Sequence, residues 1–137
     1  YLTVLQTLHT YSKANNLSLL ITLPYWMSTT QGASNTYSSL MGAVDGVIMM
    51  NYNRNCYDTA VTDQVTTAQS NNQPIYIACE LQPANNNTGL TENMTYNGVG
   101  LQTLYLNWQQ LEQQYNYNNL GFCYDDLDSL QSLYTAN

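Results

Sequence analysis

Charge is scarce in this chain. Charged residues are 8% of its 137 positions, nine acids against two bases, for a net charge of −7. Ordinary soluble domains carry roughly 25%. Lys13 and Arg54 are the only bases. That scarcity argues against nucleic acid and against an anionic membrane surface, because both need clustered Lys and Arg. No stretch reaches the roughly 18 apolar residues of a membrane span. No signal-peptide pattern opens the sequence. Cysteine is scarce too. Cys56, Cys79 and Cys123 make neither a disulfide framework nor a CxxC or Cys/His cluster, so no zinc site and no other cofactor is expected. The single histidine, His9, falls inside a helical pattern and reads as structural.

What fills the missing charge is Asn, Gln, Ser, Thr and 13 Tyr. Such neutral hydrogen-bonding surfaces are typical of secreted, carbohydrate-facing or densely assembled proteins, so a secreted location is expected. Asn-x-Ser/Thr occurs at Asn16, Asn86 and Asn93, each in a predicted loop. With so many Asn, Ser and Thr, chance alone produces as many, and only the placement is informative. The chain opens at Tyr1 inside a helical pattern, with no Met and no cap, as a piece of a longer precursor does.

Helical and strand patterns alternate along the chain. Tyr1, Val4, Leu5, Leu8 and Tyr11/Ser12 recur at helical spacing up to Asn15-Asn16. Leu17–Met27 then reads as a buried strand, with an apolar core at Leu19–Leu23, a stop at Pro24 and an aromatic pair, Tyr25-Trp26. A polar loop over Ser28–Ser34 leads to Asn35, a candidate cap for a short helix over Thr36–Met41. Val47–Tyr52 reads as a second strand, and apolar residues at 57, 60, 61, 65 and 68 as a second amphipathic helix. Ile75–Leu81 is a third strand ending in Glu80, and Gln82–Gly98 a long polar loop. The stripe at 101, 104, 105, 108, 111 and 115 predicts a helix over Leu101–Tyr115. Leu120–Tyr124 is the fourth strand, followed by Asp125, Asp126 and Asp128 and a short helix over Leu127–Tyr134.

Helix–strand alternation with no hairpin signal means right-handed βαβ units and a parallel sheet. Each strand is apolar on both faces, as a sheet covered on both sides requires. Two α/β arrangements fit: an open doubly wound sheet, or half of a (β/α)8 TIM-like barrel. No Gly-rich phosphate loop follows any strand, so the nucleotide-binding open sheets lack their main signature. The barrel gains from the polar and aromatic residues at the strand ends: Tyr25-Trp26, Asn51–Arg54, Glu80 and Tyr124–Asp126.

At these residues the chain resembles the C-terminal half, about strands five to eight, of a chitinase-like, family 18-type glycoside hydrolase barrel, or of uncharacterised secreted barrels related to it. That family's sixth strand ends in Met-x-Tyr-Asp/Asn, and Met50-Asn51-Tyr52-Asn53 stands here. Its eighth strand begins with Gly and apolar residues and ends in an aromatic and acids. Gly121–Asp126 (GFCYDD) is similar, with Tyr124 where the family usually has Trp. The resemblance implies that Tyr52 and Asn53 hold the substrate's N-acetyl group. It also implies that the family's catalytic acidic motif, on the fourth strand, lies outside this segment.

Glu80 is the most pointed residue, since an acid ending an apolar strand is out of place unless paired or functional. One reading pairs it with Arg54 of the neighbouring strand. The other sets it opposite Asp125 or Asp126 as two carboxylates for acid/base hydrolysis of a sugar. Asp125, Asp126 and Asp128 equally suit the cap of the last helix. Trp26, Tyr52 and Tyr124 either stack on sugar rings or fill the core. Substrate binding is thus expected of Trp26, Tyr52, Asn53, Arg54 and Tyr124, and catalysis of Glu80 and Asp125. Alternation points Cys79 away from Glu80's face, so Cys79 and Cys123 are expected as free, buried thiols.

Two functions follow as expectations. One is a secreted barrel that binds or hydrolyses carbohydrate. The other is a non-catalytic relative reused as a structural or assembly glycoprotein. In either, the two bare sheet edges of a half barrel are expected to pair with the chain's own N-terminal half or with another polypeptide.

Overall fold

A computed structural model of the chain describes residues 1–29 and 33–135. The elements are α1 (Leu2–Ala14), β1 (Leu20–Pro24), α2 (Ala33–Met41), β2 (Gly46–Met50), α3 (Thr62–Ser70), β3 (Ile75–Glu80), α4 (Gly100–Tyr115), β4 (Leu120–Asp125) and α5 (Leu127–Thr135). The strands form one sheet in the order β1-β2-β3-β4, all parallel. The order contains no reversal point, where a doubly wound sheet changes direction.

Each crossover steps to the adjacent strand in the same sense. Right-handed connections wound that way lay their helices on one face of the sheet. The burial follows this rule. Val47 and Met49 of β2, Ile75, Ile77 and Cys79 of β3, and Leu104 and Leu111 of α4 are wholly buried in a common core. Each large aliphatic among them stabilises the fold by about 1.5–3 kcal/mol. The α4 stripe buries Leu101, Leu104, Trp108 and Leu111, as its helical spacing requires.

The opposite face is largely open, apart from Ala78 and Glu80 of β3, which are buried. Leu20 and Thr22 of β1 and Tyr76 of β3 are exposed, and Ile48 and Met50 of β2 are half-buried. The expectation that both faces are covered therefore holds for one face only. Tyr76 instead lies flat along the sheet. Its ring occupies the place a side chain at position 121 would need, with a Cβ there only 2.7 Å from it, so Gly121 is the residue that fits.

Several sequence boundaries shift. The first strand stops at Pro24, and Tyr25–Thr29 winds into a 3₁₀ turn, because Pro24 has no N–H to continue the ladder. Asn35 lies within α2 rather than capping it, since that helix starts at Ala33. The Ser28–Ser34 loop lies partly outside the described residues. The helix expected from Tyr57 starts at Thr62, after a short 3₁₀ segment at Arg54–Cys56. The α1 stripe faces the core only in part, through Leu5 and with Leu2 against it. Tyr1, Val4, Leu8 and Tyr11 are exposed, and of the helix only Leu5 and Ser12 are buried.

Candidate functional site

The C-terminal ends of the strands gather the polar and aromatic groups. The 3₁₀ turn after β1 is tied down by Gln64, whose amide donates to the Tyr25 carbonyl at 2.7 Å. That turn presents Tyr25 half-buried and Trp26 54% exposed. Past β2, Asn53 donates to the Tyr25 hydroxyl at 3.4 Å and accepts from the Asn55 amide at 3.2 Å. Pro24, Tyr25, Trp26, Met50, Tyr52, Asn53, Asn55, Asn93 and Met94 enclose a cleft of about 620 Å³. No cation lines it. Met50 and Tyr52 share its wall, as two residues of one strand face should.

A second cavity, of about 280 Å³, lies beside it, lined by Tyr52, Glu80, Gln82, Thr88, Gly89, Leu90 and Met94. Tyr52 and Met94 belong to both, so the two hollows adjoin as a trough divided at those side chains. The Tyr52 hydroxyl donates to Asp125 Oδ2 at 2.7 Å, and Asp125 itself lines neither hollow. Burial first, then that hydrogen bond and the Asp125 charge, push the Tyr52 phenol well above its ordinary range, so it stays a donor. Glu80 ends β3 directly opposite Asp125 at the end of β4. It is only 6% exposed, and its Oε1 accepts from the Gln82 amide at 2.8 Å. Burial raises its pKa above the ordinary 4.5, the backbone hydrogen bond opposes the rise, and the Asp125 charge adds to it.

The Arg54–Glu80 pair does not form. The Arg54 guanidinium donates to the Glu92 carbonyl and lies over the Tyr96 ring, 5.8 Å from its centre. The cause is the 82–98 loop, which folds back over β3 and offers Arg54 a closer acceptor. Arg54 is also absent from the walls of both cavities. Tyr124 likewise lines neither cavity. Its register partner is Cys79, so it points to the helix side, tilted on Trp108 at 5.1 Å and 3.3 Å from the Tyr105 hydroxyl. Asp126 is the cap of α5: its carboxylate accepts from the Ser129 amide at 2.8 Å, which holds its pKa below the ordinary range. That frees Asp125 for Tyr52.

Thr95, Asn97 and Met94 were not visible as site residues. Thr95 is fully buried and donates to the Gln82 carbonyl at 2.6 Å, and Asn97 donates to the Leu81 carbonyl at 3.1 Å. Together they pin the long loop to the end of β3 and so hold Glu80. An Asn- and Thr-rich loop was the only hint. Asn16, Asn86 and Asn93 are all exposed on turns, and Asn93 lines the larger cleft. The three cysteines are free; Cys79 is buried, with its thiol 3.5 Å from the Cys123 carbonyl, while Cys56 and Cys123 are half-buried. Among the described residues no His/Cys/Asp/Glu cluster is arranged to hold a metal ion, and no helix is long and apolar enough to cross a membrane.

Comparison with protein-family models, with curated proteins and with solved structures gives no match for this chain.

Proposed function

We propose that this chain is the C-terminal half of a (β/α)8 barrel, and that the completed barrel is a secreted, glycoside-hydrolase-like protein that binds carbohydrate across the ends of its strands. The observation that carries this reading is the trough. It combines an exposed indole, two tyrosines and three asparagine side chains with a buried carboxyl, at the end of the sheet where barrels keep their sites. Aromatic faces stack on the apolar faces of sugar rings, and carboxamides match their hydroxyls. With no cation in the cleft, neutral or N-acetylated sugars fit and anionic ones do not. The Met50-Asn51-Tyr52-Asn53 run at the strand end supports the family 18-type resemblance.

The barrel half is supported by the single winding of the sheet, its largely open second face, the free edges of β1 and β4 and the largely exposed stripe of α1. Each free edge is a row of unpaired N–H and C=O groups, ready for a parallel strand. Four further strands, from the chain's own N-terminal half or from another polypeptide, complete it. The isolated 137-residue chain is therefore expected to associate in size-exclusion chromatography with light scattering. A stable, soluble monomer would contradict the half barrel.

Carbohydrate binding is tested by calorimetric titration with an N-acetylglucosamine hexamer and a xylose hexamer. Binding of either, weakened at least about tenfold by Trp26→Ala, is the expected result. An affinity unchanged by Trp26→Ala contradicts the placement of the sugar. The alternative, a non-catalytic structural glycoprotein, draws on the exposure of all three sequon asparagines. Under it neither hexamer binds.

A further inference from the structure

We propose that Arg54 is a positioning residue of the sugar cleft, which ties two of its walls together and so sets its width without touching the sugar. The inference rests on the carbohydrate reading above, and gives the second base of the chain a role in that site.

One wall of the cleft comes from the turn after β2, the other from the 82–98 loop. Asn53 and Asn55 belong to the first, and Asn93 and Met94 to the second. Arg54 stands between the two asparagines in sequence and lines neither cavity. It reaches the other wall instead. Its backbone N–H donates to the Asn93 carbonyl at 2.9 Å, and its guanidinium donates to the Glu92 carbonyl. One residue of the turn thus holds two consecutive carbonyls of the loop, immediately before Met94.

The tie is anchored on both sides. On the turn side, Asn53 caps the 3₁₀ segment Arg54–Cys56 by accepting from the Asn55 amide at 3.2 Å, and it donates to the Tyr25 hydroxyl at 3.4 Å. On the loop side, the guanidinium lies over the Tyr96 ring, 5.8 Å from its centre. Tyr96 is fully buried and meets Tyr57 edge-on at 5.9 Å, and its hydroxyl accepts from Asn107 of α4 at 2.7 Å. Its amide donates to the Glu80 carbonyl at 2.9 Å. Arg54 therefore couples the turn at Glu92–Met94 to the sheet and to α4. A guanidinium suits that task, because it offers several donors while its face rests on an aromatic ring.

The consequence is for specificity. Met94, next to the held pair, borders both hollows, so the tie fixes the division of the trough as well as the width of the cleft. Spending the cation on carbonyls also keeps it out of the cleft, in line with an uncharged oligosaccharide as ligand.

The test uses the 137-residue chain in the assembly it forms, with amide hydrogen exchange and calorimetric titration of the same two hexamers as readouts. Arg54→Met keeps the stem beside Tyr96 and removes the side-chain donors. The amide at position 54, which meets Asn93, and that of Met94, which donates to Thr91 at 2.9 Å, are then expected to exchange at least about tenfold faster, with β2 and β3 unchanged. The hexamer that wild type binds is expected to bind at least about tenfold more weakly. Arg54→Lys, which restores one charged donor, is expected to fall between the two on both readouts, a graded rescue that a general loss of folding would not give. If Arg54→Met binds the hexamer as tightly as wild type, or leaves both amides unchanged, this inference is overturned and the carbohydrate reading stands. The same holds if protection is lost equally across β2 and β3, which makes Arg54 a folding residue. If wild type binds neither hexamer, both are overturned.

Discussion

The two ends of the sheet treat their carboxylates in opposite ways. At the N-terminal end Asp45, just before β2, meets three partners. Lys13 Nζ lies 2.5 Å from Oδ1, His9 Nε2 lies 3.1 Å from the same oxygen, and the Leu19 amide donates to Oδ2 at 2.8 Å. Those contacts, the Lys13 one foremost, hold its pKa far below the ordinary 3.8. At the C-terminal end Glu80 and Asp125 stand together with no cation, and the Glu80 pKa moves up. The chain has two bases; one serves Asp45, and the other is turned away from Glu80 by a loop carbonyl. The first cluster is a clasp between α1, β1 and β2. The second is a pair of carboxyl groups left without a cation, Glu80 at the wall of the smaller cavity and Asp125 on the Tyr52 hydroxyl, and it does little for stability.

That contrast can be broken at either end. The larger stability effect is expected at the clasp. Asp45→Ala removes the acceptor of a backbone amide and the partner of two side chains, and is expected to cost about 2 kcal/mol in denaturant unfolding at neutral pH. A lowered pKa makes the Asp45 contribution fully present above the ordinary 3.8 and lost as pH falls below it. At the other end the sign reverses. A raised pKa means that Glu80 favours the fold most below the ordinary 4.5, and weakens it as pH rises through its folded value. Glu80→Gln is therefore expected to stabilise the neutral-pH fold slightly, by less than about 1 kcal/mol, and to flatten that part of the pH profile. Equal losses from both substitutions would erase the distinction between clasp and site.

Much of the fold was legible because the signals are local. The apolar core at Leu19–Leu23 and the strands expected over Val47–Tyr52, Ile75–Leu81 and Leu120–Tyr124 lie within a residue or two of the observed strands, and the α4 stripe locates its helix. The same runs misled on one point. They are apolar on both faces although one face is largely open, because composition does not distinguish a covered face from an open one. The site was legible in its strand-end residues and illegible in its pairings. Arg54 follows a carbonyl of Glu92, thirty-eight positions away, and no local pattern announces that. Tyr124 and Asp125 are neighbours on opposite faces, and only the register with Cys79 and Glu80 decides which one shares the face of Glu80. Asp126 was separable from Asp125 only once α5 was seen to start at Leu127.

The contrast between the two ends is measured most directly by following the Glu80 carboxyl carbon by NMR as pH is varied, with glutamate labelled and the Glu80→Gln spectrum to assign the signal. The account predicts a midpoint clearly above the ordinary 4.5, moving down when Asp125 is replaced by Asn. A midpoint at or below 4.5, unmoved by that replacement, would contradict it.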